Sequence, residues 1–238
     1  MAHTSTEEST RILREHIMSG QIHPGERLQQ ERLARALGVS RTPLRTALSN
    51  LANEGLLQYE ANRGYTVREF DRKDIVDGYA ARAVLEGLAA ASVASTGLEF
   101  GVIEKMECWL EVGDSALQHG RLDPIDIDRY RNMNVQFHDE ILLRADNRWI
   151  AELVRQTQLI PFASNRMIVW QDYDIMKRTH DDHHRICDAI KRRDPFRADY
   201  LMREHVNFAG EYLADCIETG RITTTAPDPT PETLETVK

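Results

Sequence analysis

Three histidines occur in segments whose helical periodicity turns them toward a common interior. His138 lies in NMNVQFHDEIL, His183 in DDHHRICDAI and His205 in LMREHVNF, and the last two share a face with apolar residues. A single inward histidine is more often a hydrogen-bonded core residue, but three on three helices would each need a buried partner. Imidazoles from several helices of a bundle are a common donor set for a metal. The pattern therefore predicts a divalent metal site.

Other polar side chains close to these histidines extend the candidate site. Asn134 precedes His138 by one helical turn, so an amide oxygen lies on the same face as the imidazole. This donor set suits zinc, and also nickel, manganese or iron, and composition does not choose among them. His180 shares the stripe of His183 and could line an effector pocket, whereas His184 falls with charged residues and is predicted to face solvent.

Six helical segments after residue 70 would position these side chains. The apolar pattern predicts helices near 72–95, 99–119, 126–145, 148–169, 172–193 and 195–218. Each segment is long enough to bury one stripe, so residues 71–218 are predicted to form an all-α six-helix bundle. The Thr- and Pro-rich tail, residues 219–238, is predicted to be disordered.

Residues 9–70 follow a different pattern, after a polar segment, residues 1–8, that is predicted to be frayed. A first helical stripe is followed by ERLARALGVSRTPLRTALSNLANEGLL, which indicates two helices broken at Gly38. Ser40 is a suitable N-cap for the second of them. Two β-prone runs around an Asn-Arg-Gly sequence then indicate a hairpin. This order predicts a winged helix-turn-helix, and the chain as a whole is predicted to be mostly α.

The net charge of -8 is the sum of a basic segment and an acidic one. Residues 27–68 carry seven Arg against three Glu, a balance of +4, whereas residues 71–238 carry 21 Lys and Arg against 30 Asp and Glu, a balance of -9. This asymmetry suggests a small basic module joined to a larger acidic one. A solvated arginine-rich face would have the same composition, so charge alone does not establish DNA binding.

The segment SRTPLR has the side chains that a recognition helix needs at its N-terminal end. Ser40 and Thr42 can reach phosphates or bases, and the amide groups at a helix start favour an anion. Arg41 and Arg45 lie on one face, and arginine is the best side chain for the O6 and N7 atoms of guanine.

The predicted hairpin would add a second contact with DNA. Gly64 would let the backbone approach DNA closely, and Arg63 could enter a minor groove. The alternative for SRTPLR is a solvated helix with a capping serine, but that alternative must also explain the helix order and the hairpin.

Hydropathy and cysteine usage exclude several classes of protein. No window approaches the apolar length of a membrane helix, and MAHTSTEEST contains no apolar signal region. Three cysteines at wide spacing fit neither a disulfide framework nor a cysteine zinc site. The protein is therefore predicted to be cytoplasmic, without a membrane partner.

The segments PGERLQQERLARALGVSRTPLRTALSNLANEGLL and NRGYTV carry a resemblance to a known family. Over residues 10–70 the chain resembles the N-terminal domain of GntR-family bacterial transcription regulators. The resemblance implies double-stranded operator DNA as the partner. It also implies that the following residues lie at the DNA interface: Arg27, Ser40, Arg41, Thr42, Arg45 and Gly64.

The segments YAARAVLEGLAAASVA, QFHDEILLRADN and HHRICDAIKRRDPFRADYLMREHV extend this resemblance. Residues 72–218 resemble the FCD ligand-binding domain of the FadR-like branch of GntR regulators, whose members commonly bind a divalent metal through one Asp and three His. His138, His183 and His205 match the three histidines. Asn134 stands at the Asp position, and because it brings no negative charge, the metal is expected to be held less tightly.

The same resemblance suggests how an organic acid would complete the metal coordination. Arg82 stands where the family often places a carboxylate-binding arginine, and its fork geometry suits that task. An ion pair with Glu86, one turn on, is the alternative role, and the two roles are compatible. Arg166 is a second candidate cation for the pocket.

These observations predict a cytoplasmic, homodimeric transcription regulator that senses a small carboxylate. Repression relieved by the ligand is the commoner behaviour in the family, although the sequence does not set the sign. Two alternatives remain open at this point. The first is a metal-dependent enzyme that carries a DNA-binding domain, and the second is a regulator with a metal-free effector pocket.

Overall fold

The computed structural model describes residues 5–18, 20–69, 71–121, 123–158, 172–219 and 221. The chain divides into two compact units, with the boundary between Asp71 and Arg72. In the described residues, the first unit contains three helices and a two-stranded sheet, and the second contains helices only. The predicted mostly-α fold, a winged helix-turn-helix with a helical bundle, is confirmed.

The first unit has the element order of a winged helix-turn-helix. Its elements are α1 (Ser5–Met18), α2 (Gln30–Leu37), α3 (Arg41–Asn53), β1 (Leu57–Glu60) and β2 (Gly64–Val67). The turn between α2 and α3 depends on Gly38, whose φ of 65° is in the left-handed region. Its amide donates to the carbonyl groups of Ala34 and Arg35, which ends α2 sharply.

The core of the first unit is built from one face of each helix and from the hairpin. Leu13 and Ile17 of α1 pack in the same buried cluster as Leu44, Leu48 and Leu51 of α3. Because these residues recur at three- and four-residue intervals, each helix turns a single apolar stripe inward. The polar side of α3 is thereby left on the surface.

The hairpin forms as the sequence predicts. β1 and β2 are antiparallel, and Asn62 and Gly64 at the tip have φ values of 67° and 86°. The chain before α2 joins the same sheet, since the amide of Leu28 donates to the carbonyl of Tyr65. Arg27 forms a bridge with Thr66 there, so the predicted DNA contact Arg27 belongs to the wing.

Two details of the first unit differ from the prediction. The helix α1 begins at Ser5 rather than Ser9, so the expected fraying is wrong for residues 5–8. Glu7 and Glu8 in its first turn favour an early start, because acidic side chains are stabilised by the amide end of a helix. At the start of α3, Ser40 occupies the N-cap position with an extended backbone, but its side chain makes no capping hydrogen bond.

The second unit consists, in its described part, of six helices close to the predicted ones. They are α4 (Arg72–Thr96), α5 (Phe100–Leu117), α6 (Pro124–Arg144), α7 (Arg148–Thr157), α8 (Tyr173–Lys191) and α9 (Pro195–Glu218). The predicted helix 148–169 is described as α7 only to Thr157, and residues 159–171 lie outside the described part. None of the described helices is both long enough and apolar enough to span a membrane.

The helix α4 is the central element of the second unit and packs against α6, α7, α8 and α9. Its most extensive contact is with α9, where a Cβ added to Gly210 would overlap Tyr79 and one added to Gly87 would overlap Asp199. The helix α8 packs against both α5 and α9. This arrangement brings the histidine-bearing helices α6, α8 and α9 around the side of α4 that carries Arg82 and Glu86.

Candidate metal centre and nucleic-acid interface

The three predicted histidines converge through their Nε2 atoms. Nε2 of His205 on α9 lies 3.2 Å from Nε2 of His138 on α6 and 3.2 Å from Nε2 of His183 on α8. The three residues are exposed by 4%, 1% and 0%, respectively. Nitrogens bound at about 2.0–2.1 Å to one tetrahedral zinc ion are roughly 3.3 Å apart. The spacing therefore fits a single cation.

Protons alone do not satisfy this nitrogen cluster. In a neutral imidazole each ring nitrogen carries either one hydrogen or one lone pair, whereas Nε2 of His205 faces two other nitrogens. The buried Nδ1 atoms of His183 and His205 also have no hydrogen-bond partner in the described part of the chain. A cation that accepts the three Nε2 lone pairs would satisfy the facing Nε2 atoms together. The donor set therefore fits a bound metal.

The protonation of the cluster favours metal binding. Burial lowers the pKa of His183 and of His205 well below the ordinary histidine value, and the neighbouring histidines lower both further. Both rings are therefore neutral at neutral pH. Neutral imidazole is the form that binds a metal, since the coordinating nitrogen must offer its lone pair.

Glu86 of α4 is a functional residue that the sequence showed only as a partner for Arg82. Its carboxylate accepts hydrogen bonds from Nδ1 of His138 and from Nε of Arg82. Burial disfavours its charge, but Arg82 and His138 outweigh burial and hold the pKa of Glu86 well below its usual range. An ionised Glu86 accepts a hydrogen bond from the N–H group at Nδ1 of His138, which leaves Nε2 with its lone pair toward the cluster.

Asp182 is a second residue that sequence reasoning missed, although it directly precedes His183. Its Oδ2 lies 4.0 Å from Nδ1 of His205, and both atoms are buried without a hydrogen bond. Its Oδ1 accepts a hydrogen bond from Arg185, and burial raises the pKa of Asp182. A small rotation of either side chain would join Asp182 to His205 and orient that ring as Glu86 orients His138.

The remaining predicted metal and effector residues lie in different surroundings. Asn134 is buried on α6, one turn before His138. Arg82 is also buried, and its guanidinium lies 5.5 Å from the ring of Tyr79. His180 is buried as well, but its Nε2 contacts Asp114 rather than the central nitrogens. The predicted effector contact Arg166 lies outside the described residues.

The predicted DNA-binding side chains lie on the surface of the first unit. All but one are exposed, and Gly64 is half-buried; the exposed ones are Arg27, Ser40, Arg41, Thr42, Arg45 and Arg63. No acidic residue lies in the first turn of α3, so its amide groups are available to a phosphate.

Two of these arginines are held by acidic neighbours in the free protein. Arg41 pairs with Glu31 at 2.5 Å, and Arg63 pairs with Glu60 at 3.1 Å. Exposed pairs of this kind contribute little to stability, so a DNA phosphate can replace the carboxylate in either pair.

Each of the two units matches a known protein family. Residues 6–67 match the bacterial regulatory proteins of the gntR family, and residues 77–208 match the FCD domain. The chain belongs to the GntR family. GntR regulators bind operator DNA, FCD domains commonly bind a metal, and the members are transcriptional regulators rather than enzymes. The prediction that the chain is a regulator is confirmed, and the enzyme alternative is set aside.

Individual relatives cover most of this GntR protein. It is 30% identical to the Nta operon transcriptional regulator of Aminobacter aminovorans, over 74% of this chain and 79% of that protein. It is 26% identical to the transcriptional repressor GlaR of Escherichia coli, over 82% and 90% of the two chains. The structure of E. coli McbR/YncC has the same fold, with a TM-score of 0.68 at 22% identity, and covers 89% of this chain and 99% of that one.

Proposed function

We propose that this GntR protein is a repressor that binds an operator and is released by a small carboxylate held at a metal centre in its second unit. The observation that carries the proposal is the buried triangle of Nε2 atoms from His138, His183 and His205, with Glu86 fixing the first ring. Similarity to proteins described as repressors supports the direction of regulation.

The metal would be held by His138, His183 and His205, with Asn134 as the oxygen donor. When bound, the cation supplies an electrophilic centre to which a carboxylate oxygen can bind. Three imidazoles and an amide bring no negative charge, so an anionic ligand is favoured at the remaining position. Zinc is our first choice because it suits nitrogen donors, and nickel, manganese and iron remain candidates.

We propose that the side chain of Arg82 binds the carboxylate group of the effector. It is buried, and Glu86 connects its guanidinium to His138, so an anion near the cluster meets a positive charge. From its place in the sequence alone, Arg166 is a second candidate. The effector can regulate only if it binds the free protein and the operator-bound protein with different affinities.

In the DNA complex, α3 is proposed to enter the major groove with Arg41 and Arg45 toward the bases, while Arg63 of the wing contacts the minor groove. A two-fold operator requires two copies of the chain, so we propose a homodimer. Val84 and Leu88 of α4 support a dimer interface, because both are apolar, exposed and one helical turn apart. A role on operator DNA supports a cytoplasmic location for the protein.

The test uses full-length protein without a His tag, dialysed against a weak chelator, and an operator selected from random duplex DNA. We expect elemental analysis to find a tightly held metal in the wild type and none in His138→Ala/His205→Ala. An exposed histidine outside the cluster provides the control, and His119→Ala should retain the metal.

The second half of the test measures operator binding by fluorescence anisotropy. Citrate, used as a chelating carboxylate probe, should weaken operator binding by the metal-loaded wild type and leave the double variant unchanged. A wild-type protein that holds no metal after loading with zinc would contradict the metal centre. Tighter operator binding in the presence of citrate would contradict release by the effector.

A further inference from the structure

A second group of ligand-type side chains lies between α5 and α8, apart from the central nitrogens. Oδ1 of Asp114 lies 3.1 Å from Nε2 of His180 and 3.1 Å from Nε2 of His184. The side chain of His180 is 1% exposed, whereas those of His184 and Asp114 are 43% and 55% exposed. The group is therefore fixed on its inner side and open to solvent on its outer side.

The buried member of this group is held by its surroundings. A Cβ added to Gly113 of α5 would overlap the ring of His180, so the glycine leaves the space that the ring occupies. Tyr130 packs against the same ring, with centroids 5.7 Å apart. These contacts keep Nε2 of His180 directed at Asp114.

An acidic groove runs beside the group. It has a volume of about 580 Å³, and its charged or polar lining consists of Glu107, Glu111, His184, Asp188 and Lys191. Two of the three carboxylates are paired, Glu107 with Lys191 and Asp188 with Arg192, so the negative charge of the lining comes from Glu111. Such a groove lowers the electrostatic energy of a cation and raises its local concentration.

We propose that Asp114, His180 and His184 form a second divalent-cation site, open to solvent and distinct from the three-histidine centre. Two histidines one helical turn apart on a single helix are a spacing that can bind one zinc ion, and the carboxylate of the facing helix supplies the third donor. All three donor atoms lie within 4.8 Å of one another. Two nitrogen donors favour zinc, nickel or copper over magnesium or calcium.

A cation at this site would tie α5 to α8. The helix α8 also carries His183 of the central cluster, and the rings of His180 and His183 have centroids 6.0 Å apart. The second site would therefore reduce the mobility of the helix that supplies a central ligand. Binding at the second site does not require a metal at the three-histidine centre, because the two sites share no donor atom.

The experiment is a calorimetric titration of chelator-stripped, full-length protein with ZnCl₂. We expect two classes of site in the wild type, and only the tighter class in His184→Ala. Since His184 is exposed, its removal should not unfold the chain. Asp114→Asn should weaken the second class by roughly 10-fold or more, because the amide brings no charge. His119→Ala, an exposed histidine outside both groups, should behave as the wild type.

The variant His205→Gln separates the two proposed sites. If the tighter class disappears in His205→Gln and the weaker class disappears in His184→Ala, both sites are supported. A single class that is lost only in His184→Ala would support the second site and contradict the central one. Identical isotherms for the wild type and His184→Ala would overturn the second site, and Asp114 would then act only as a hydrogen-bond acceptor for the two rings.

Discussion

At the scale of single residues, the ionised carboxylate of Glu86 decides which nitrogen of His138 is available to a metal. Its position between Arg82 and His138 keeps it charged despite complete burial. A carboxylate behind a ligating histidine fixes the ring and raises its basicity. Glu86 is thus a positioning residue, and its effect can be measured without knowing the effector.

Glu86→Gln is expected to weaken zinc binding at the central site by about 10–100-fold, as is typical when such a partner is lost. The amide removes the charge that holds the Nδ1 proton of His138. The affinity is measured by competition with a chromophoric chelator, after circular dichroism has shown that the variant is folded. The matched control is Glu140→Gln, which replaces a buried glutamate of α6 whose partners are Lys105 and Arg144. Equal zinc affinities in the two variants would contradict the role of Glu86.

Glu140 supports a separate prediction about stability and pH. Burial disfavours its charge, but hydrogen bonds from Lys105 and Arg144 outweigh burial and lower the pKa of Glu140 below the ordinary value of 4.5. The group therefore contributes stability above that value, and the contribution is lost as the pH falls through the lower folded-state pKa.

Glu140→Gln should therefore reduce the free energy of unfolding at pH 7 by about 1 kcal/mol, a modest figure because both cationic partners are half-exposed. The difference from wild type should disappear at acidic pH. Urea denaturation at a series of pH values measures it. A difference that stays constant down to the lowest pH would show that charge at Glu140 is not its cause.

At the scale of elements, α3 both contributes side chains to the core and presents basic side chains to solvent. Leu44, Leu48 and Leu51 are buried, whereas Arg41 and Arg45 are exposed. Local periodicity is sufficient to produce this division, because a helix repeats every 3.6 residues. The basic face can therefore be changed without altering the core of the first unit.

Arg45→Ala is expected to weaken operator binding by about 1–3 kcal/mol and to leave the melting temperature unchanged. The arginine is exposed, so its removal creates no cavity. Fluorescence anisotropy at fixed salt measures the affinity. The control is Arg192→Ala, an exposed arginine of the second unit. If the control weakened binding as much as Arg45→Ala, the proposed interface would be wrong.

The contact between α4 and α9 depends on glycines that allow the two helices to approach closely. Gly210→Ala would force a methyl group into Tyr79 of α4, and we expect a loss of about 1–3 kcal/mol in the free energy of unfolding. Gly101→Ala on α5 is the matched control, because nothing lies within 4 Å of its added Cβ. That variant should be neutral or slightly stabilising, since alanine has the higher helix propensity. Chemical denaturation distinguishes the two variants.

At the scale of the whole molecule, the proposed two-fold operator would be bound by the DNA-binding units of two copies of the chain. The chain has a mass of 27.3 kDa, so a homodimer has twice that mass in light scattering. Val84 and Leu88 of α4 are exposed by 49% and 51% and lie on one face. Apolar side chains arranged in this way gain stability when a second copy covers them.

Val84→Glu/Leu88→Glu should convert the dimer to a folded monomer, because two charges would be buried without partners at the interface. Light scattering measures the mass, and circular dichroism verifies the fold. The control is Phe100→Glu on α5, which is 74% exposed and should leave the mass unchanged. A monomeric wild type would contradict the homodimer, and a dimeric double variant would place the interface elsewhere.

Features that depend on local periodicity and composition can be predicted from the amino-acid sequence. The helices, the hairpin with its turn residues, the basic face of α3 and the three histidines could all be predicted, because each follows from residues a few positions apart. His184 was likewise predicted to face solvent, and it does. The early start of α1 was missed because frayed ends and capped ends differ only by weak local interactions.

Contacts between side chains that are distant in the sequence depend on how the helices pack. Glu86 and His138 are separated by 52 residues, and Asp114 and His184 by 70, so no spacing rule connects them. His180 was expected near the effector, yet its contact with Asp114 depends on how α5 packs on α8. Contacts of this kind are set by helix packing around α4, and packing depends on all the buried faces at once.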